Sequence, residues 1–177
     1  LGLSLALTAP IVGIGVGAVR AAAQIETLQT AFIPLLGTAQ AAKSRIAELQ
    51  QFANATPFAL PEVAQASRVL QVLTKGALST GDALRLVGDV ASGTNQPFSD
   101  VAMWVGRLYS GLQAGQPVGE ATMRLQEMGA MSSETKMKLE ELQKAGVKGN
   151  EIWKIAQKDF ANFAGGLRFL AGDKHLG

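Results

Sequence analysis

Apolar residues recur along most of the chain with the three- and four-residue spacing that one face of an α-helix requires. The first such stripe begins after Ala18 and consists of Ala21, Ile25, Leu28, Phe32 and Leu35. Pro34 and Gly37 follow within this region, and both residues are expected to kink or end the helix. The spacing therefore predicts one amphipathic helix that ends or kinks at Pro34 and Gly37.

A second stripe begins after Thr38, which is placed to cap the next helix, and contains Ala42, Ile46, Leu49 and Phe52. The following helix is expected from Leu60 or Pro61 to about Lys75. Its predicted core face consists of Ala66, Val69, Leu70 and Leu73. The same punctuation by caps, prolines and glycines predicts five more helices, near Thr80 to Ser92, Ser99 to Ala114, Val118 to Met128, Ser132 to Ala145, and Asn150 to Ala164.

Strand signals are missing from the sequence, since no stretch alternates apolar and polar residues with β-branched enrichment. The predicted fold class is therefore all-α, with seven or eight short helices in a compact or partly extended bundle. Three regions are expected: an apolar, Gly-rich helix at residues 1–19, a helical core region at 20–164, and a boundary or linker tail at 165–177.

The N-terminal region carries no charge before Arg20 and is almost as long as a membrane-spanning helix, which needs about 20 apolar residues. Pro10 and several glycines argue against a permanent span, because proline and glycine lower helix propensity. Pro10 is instead expected in the first turn of a helix, where proline is tolerated. Gly13 and Gly17 form a small-xxx-small face that lets another helix approach closely. Close packing in a protein assembly is the favoured interpretation, ahead of a conditional membrane-inserting segment and a permanent span.

A break between two predicted helices reads FANATPFALPEVAQA, from Phe52 to Ala66, with Pro57 and Pro61 four positions apart. Residues that precede proline are disfavoured in the α region, so Thr56 and Leu60 are expected to be extended. The break then forms a rigid corner, in which Phe52, Phe58 and Leu60 pack between two helices folded back on each other.

Composition adds that the chain is rich in apolar residues and poor in charge, with 47% apolar and 17% charged residues. Charged residues usually make up about a quarter of a globular domain, so the deficit indicates unusual burial in a partner, an oligomer or a membrane. The net charge is only +2, and Lys and Glu residues are interspersed between residues 134 and 144. No electrostatic signature of sequence-specific nucleic-acid binding is present.

Candidate chemistry is sparse. The chain has no cysteine, and its one histidine, His175, has no second His or Cys to complete a metal site. Carboxylates such as Glu62 and Asp100 are explained by the helix dipole. The string GIGVGAV lacks the spacing of a dinucleotide fingerprint. We expect no catalytic residue, metal or cofactor, and therefore no enzyme.

Aromatic and methionine side chains are the remaining candidates for contacts. Trp104 and Tyr109 are five residues apart and face different sides of a helix, so at least one is an interface candidate, although burial of both in one core remains an alternative. The methionines are expected in the core or at an adaptable interface. Trp153, Phe160 and Phe163 have core spacing.

Several sequence elements occur in an order that resembles the core region of bacteriophage tail tape measure proteins, between about Leu7 and Gly146. The most specific are Phe-Ala-x-x-Thr-Pro-Phe at residues 52–58 with Leu60-Pro61 after it, and Leu-x-x-Met-Gly at residues 125–129. Others are LTAPIVGIG near the start and GDVASGTNQPFSDVAMWVGRL after the corner. The long coiled-coil and hydrolase-like regions that many members carry are missing, as expected of an excerpt, and the start at Leu1 points the same way.

The resemblance implies a virion protein in the lumen of the tail tube that sets tail length during viral tail assembly and leaves ahead of the DNA at genome ejection. It implies a homo-oligomer of three or six copies that contacts tail tube and tail tip proteins and assembly chaperones. Localisation would be the phage tail, with the host cytoplasm during assembly. The corner favours an anchoring or interaction domain over the length-counting rod.

Two alternative functions stay open at this point. In one, residues 1–19 form a membrane-active segment that enters the host inner membrane, and the chain is a pore or channel component for DNA delivery. In the other, the chain is a lytic transglycosylase on an α-helical scaffold, although no glutamate has a context that distinguishes it.

Overall fold

Eight α-helices follow one another in residues 12–164, the part of the chain that this computed structural model describes, with side chains described from residue 16. They are α1 (Val12–Leu36), α2 (Ala39–Asn54), α3 (Leu60–Thr74), α4 (Gly81–Thr94), α5 (Phe98–Ala114), α6 (Gly119–Glu127), α7 (Ser133–Lys144) and α8 (Gly149–Phe160). A 3-10 turn, Ala161–Phe163, follows α8. No strand occurs among the described residues. The all-α prediction is therefore confirmed.

The helix ends lie where local sequence signals favour them. Gly37, directly after α1, has φ +91°, a left-handed value that costs glycine little. Lys75 and Asn95 end α3 and α4 in the same left-handed region. Ser132 caps α7, since its hydroxyl oxygen accepts a hydrogen bond from the Thr135 N–H at 3.1 Å. Proline, glycine and polar caps thus define most boundaries within two residues of the predicted ones.

The chain divides into two compact units, residues 1–48 and residues 49–177. This division lies inside the region 20–164 that the sequence predicts as one, and α1 continues without a break across the predicted boundary at residue 19. The 164/165 boundary borders residues outside the described part.

In the first unit, Phe32, Ala42 and Ile46 are buried. The Arg45 guanidinium lies 5.8 Å from the centre of the Phe32 ring, a cation–π distance. Burial lowers the pKa of Arg45, and the nearby Glu48 carboxylate partly opposes that shift. Even so, an arginine stays protonated at neutral pH. The described part of this unit therefore buries one aromatic ring beneath a cation.

In the second unit, α5 is the central helix. It packs most extensively against α3 and also contacts α4, α6 and α8, while α7 contacts α6 and α8. Gly106 allows the close approach of α3, because a Cβ there would lie 3.0 Å from a methyl carbon of Leu73. The buried face of α5 consists of Phe98, Val101, Ala102, Val105, Gly106, Leu108 and Leu112.

Two predictions for α3 are wrong in detail. Val69 and Leu73 are half-buried rather than core residues, and the buried face instead includes Ser67 and Thr74. These hydroxyls can be buried because each donates a hydrogen bond to a backbone carbonyl, that of Ser79 and that of Leu70 respectively. A prediction from apolar residues alone therefore rotates the core face toward Val69 and Leu73 and leaves out the buried hydroxyls of Ser67 and Thr74.

Leu60 was expected to be extended and is instead the first residue of α3. The extended residue is Ala59, which caps the helix with φ −75° and ψ 154°. A residue before proline is only disfavoured in the α region, and here burial of the Leu60 side chain in the core accompanies its helical conformation.

Candidate interaction surface

The corner between α2 and α3 is built from local backbone contacts. The Ala55 N–H donates to the carbonyl oxygens of Gln51 and Phe52, each at 3.1 Å, and so closes the last turn of α2. Pro61 then stands in the first turn of α3, where the missing N–H of proline costs nothing. Pro57 and Pro61 are both exposed, so they shape the backbone rather than fill the core.

The aromatic side chains of the corner pack on the start of α5. The ring centre of Phe58 lies 4.6 Å from that of Phe98, and the ring centre of Phe52 lies 6.0 Å from it. Both distances fall in the range of favourable aromatic pairs. Phe98 is fully buried, while Phe52 and Phe58 are half-buried. Phe98 therefore holds the corner to a helix that begins about forty residues later in the chain.

Trp104 and Tyr109 lie in different environments on α5. Tyr109 meets Trp153 of α8 edge to face, with ring centres 5.2 Å apart, and belongs to the packing between these helices. Trp104 is half-buried and contacts two cations, with the guanidinium carbons of Arg107 and Arg124 at 5.0 and 5.8 Å from its ring centre. Of the two interface candidates, Trp104 is the one that borders a charged surface.

The N-terminal candidates are only partly described. Pro10 lies outside the described residues, and Gly13 and Gly17 are helical in α1. A Cβ at Gly17 would have no heavy atom within 4 Å, so no helix of the described chain packs on that position. Val16 and Val19, on the same helix, are exposed. Within residues 12–164, no helix is both long and apolar enough to cross a bilayer.

A shallow groove of about 280 Å³ lies between α3 and α5. We call it the arginine groove, and its lining residues are Gln65, Arg68, Val69, Val72, Leu73, Met103 and Arg107. Val72 is 58% exposed in it. Among the described residues, neither Arg68 nor Arg107 has a carboxylate within ion-pair distance. The groove thus combines an apolar floor with two guanidinium groups that have no carboxylate partner there.

Two helices carry a second kind of surface. The sequences EATMRLQE in α6 and ETKMKLEE in α7 share one pattern, with an exposed methionine between two exposed glutamates. In each helix the leucine two positions after the methionine is fully buried, which turns the methionine outward. We call these surfaces the α6 face (Glu120, Met123, Glu127) and the α7 face (Glu134, Met137, Glu141).

Neither the arginine groove nor the two methionine faces was singled out from the sequence. The faces had a visible signal, since the eight-residue pattern occurs twice, fourteen residues apart. The groove had a weaker one, because Val69, Val72 and Leu73 make the apolar stripe of α3 wider than one core face needs. Its second wall comes from α5, and that pairing depends on tertiary contacts.

No group of three metal-ligating side chains occurs among the described residues, and His175 lies outside them. Comparisons with protein-family models, with curated proteins and with solved structures found no match to this chain. The surfaces that remain are suited to binding through apolar contacts and charge.

Proposed function

We propose that this chain is a segment of a bacteriophage tail tape measure protein, a structural virion protein that acts without catalysis in the lumen of the tail tube. In that role it sets tail length during assembly and is released ahead of the DNA. The support is the ordered set of sequence elements between Leu7 and Gly146 together with the low charged fraction of 17%. An enclosed lumen suits a chain that exposes few charges.

Within that role, we assign this segment to anchoring or interaction rather than to length counting. The observation that carries the assignment is the packing of the Pro-bounded corner on Phe98, in a unit whose helices α3 to α8 are only nine to seventeen residues long. A counting rod would need a long helix with sustained heptads. Partners would be other copies of the chain, tail tube and tail tip proteins, and assembly chaperones.

Tail length measured by electron microscopy tests this assignment. We delete residues 80–92 in frame from the full-length tape measure protein, which removes most of α4. An extended helical ruler would shorten each tail by roughly 20 Å, at about 1.5 Å per residue. We expect instead that tails are absent, or that they keep their length and no longer infect.

A point variant separates counting from folding in the same experiment. Phe98→Ala leaves the length of the chain unchanged, so a segment that only counts length would still give normal, infective tails. An anchoring domain that depends on the corner would lose tails or infectivity with this variant as well. Shortened tails from the deletion together with normal tails from Phe98→Ala would contradict the anchoring assignment.

A second candidate, a membrane-inserting pore or channel component for DNA delivery, has one observation in its favour. Val16 and Val19 of the apolar, Gly-rich start of α1 are exposed. Dye leakage from liposomes caused by the purified chain, lost on replacing Ile14 and Val16 with Lys but kept in a Val72→Lys control, would favour this candidate. We expect no leakage at any pH, and such a result would count strongly against it.

A further inference from the structure

We propose that copies of this chain associate head to tail, with the arginine groove of one copy receiving the α7 face of the next. The two surfaces come from different parts of the second unit, α3 with α5 on one side and α7 on the other. The inference concerns surface chemistry and holds whether or not the chain acts in a phage tail.

The groove supplies half of this contact. Val72 is one of the few large apolar side chains exposed in the described chain, and Met103 lies beside it in the same groove. Arg68 comes from the α3 wall and Arg107 from the α5 wall, and both side chains are exposed. An apolar floor with a cation on each wall fits a helix that presents an apolar residue between two carboxylates.

The α7 face has that arrangement. Met137 is 61% exposed, and Glu134 and Glu141 stand three residues before and four residues after it, on the same side of the helix. Neither glutamate has an ion-pair partner among the described residues. Methionine is flexible and adapts to an irregular apolar surface. The face therefore offers two carboxylates without partners and an apolar side chain to fill the groove.

The α6 face has the same sequence pattern but is less suited to the contact. Its Glu127 already forms an ion pair with Arg124 at 3.3 Å, and the Arg124 guanidinium lies over Trp104. Using this face would break an existing pair before a new one forms. Lys138 and Lys144 border the α7 face, so they would lie at the rim of the contact, where charges contribute little.

Typical helix dimensions make the two surfaces compatible in size. Glu134 and Glu141 are two helical turns apart, which is about 10.5 Å along the axis. The groove lies between two closely packed helices, whose axes are typically about 8–10 Å apart. If α7 lies across the groove, Glu134 and Glu141 can thus each approach one wall while Met137 contacts Val72 and Met103.

The two surfaces differ, so the contact is heterologous and generates a ring if the rotation closes and an open chain if it does not. One helix in one groove is at the small end of specific interfaces. We therefore expect weak self-association that strengthens when copies are held close together.

Sedimentation velocity of the full 177-residue chain tests the proposal. We expect association that grows between roughly 10 µM and 1 mM and weakens at high salt, where exposed charges are screened. Arg68→Glu with Arg107→Glu should weaken self-association at least about tenfold, as should Glu134→Arg with Glu141→Arg. Circular dichroism checks that each variant keeps its helices, and all four positions are exposed.

The decisive measurement mixes the two charge-reversed chains. Each alone has surfaces of like charge. In the mixture, the native groove of one chain meets the native α7 face of the other, and the reversed groove meets the reversed α7 face, so both contacts between unlike chains pair opposite charges. Mixed dimers that neither chain forms alone would therefore support the contact. Absence of mixed dimers, unchanged association of either variant, or a wild-type chain that stays monomeric up to about 1 mM would overturn it. Glu120→Arg with Met123→Ala, on the α6 face, is the matched control and should leave association unchanged.

Discussion

Phe98→Ala is expected to destabilise the second unit by about 3–5 kcal/mol, the usual cost of removing a fully buried aromatic ring. Phe98 has no solvent exposure and contacts the rings of Phe52 and Phe58. Truncation leaves a cavity where α5 begins and removes both aromatic pairs that hold the corner. Thermal unfolding followed by circular dichroism should show a melting temperature lower by more than about 6 °C.

Phe98→Leu serves as the graded control, because it keeps much of the apolar volume and should cost less than the alanine variant. Val72→Ala, at an exposed position, should change the free energy of unfolding by no more than about 0.5 kcal/mol. A Phe98→Ala protein that melts with the wild type would show that the corner is held by other contacts.

Gly149→Ala is expected to destabilise the protein even though alanine favours helix over glycine by about 1 kcal/mol. Gly149 is the first residue of α8, and a Cβ there would clash with the backbone carbonyl oxygen of Leu112 in α5. That oxygen belongs to the backbone and cannot turn away, so α8 has to shift. Overpacking of this kind costs about 1–3 kcal/mol, measurable by urea denaturation.

The chain contains a matched control for this substitution. Gly119 is likewise the first residue of its helix, α6, but a Cβ there would meet only a carboxylate oxygen of Glu140, at 3.9 Å. Gly119→Ala should therefore be neutral or slightly stabilising. Equal effects of the two substitutions would contradict the steric explanation and point to the shared helix-start position instead.

Local features of the fold could be predicted from the sequence because they depend on neighbouring residues. Apolar spacing gave the helices, and Gly37, Ser132 and Pro61 lie at or next to their ends. Periodicity could not predict which other helix each helix packs against. Phe98 was not singled out from the sequence, yet it binds the corner, because its partners Phe52 and Phe58 lie about forty residues earlier. Such contacts depend on how the helices pack, which periodicity does not encode.

Trp104 and Tyr109 show the same difference between local features, which the sequence predicts, and tertiary contacts, which it does not. The spacing of Trp104 and Tyr109 predicted that they face different sides of one helix. It could not predict that Tyr109 meets Trp153 of α8 while Arg107 and Arg124 both contact the Trp104 ring. Nor could it predict the arginine groove, whose two walls come from α3 and α5. The repeated glutamate–methionine pattern, in contrast, needed only a comparison of residues 120–127 with residues 134–141.

The outward position of Met137 makes the α7 face sensitive to oxidants. The chain has no cysteine, so its sulfur chemistry belongs to its methionines, and Met131 is only 4% exposed whereas Met137 is 61% exposed. Oxidation converts a flexible apolar thioether into a polar sulfoxide, and the accessible side chain reacts first. Mild peroxide would therefore change the surface chemistry of α7 before it reaches the core, and methionine sulfoxide reductases could reverse that change.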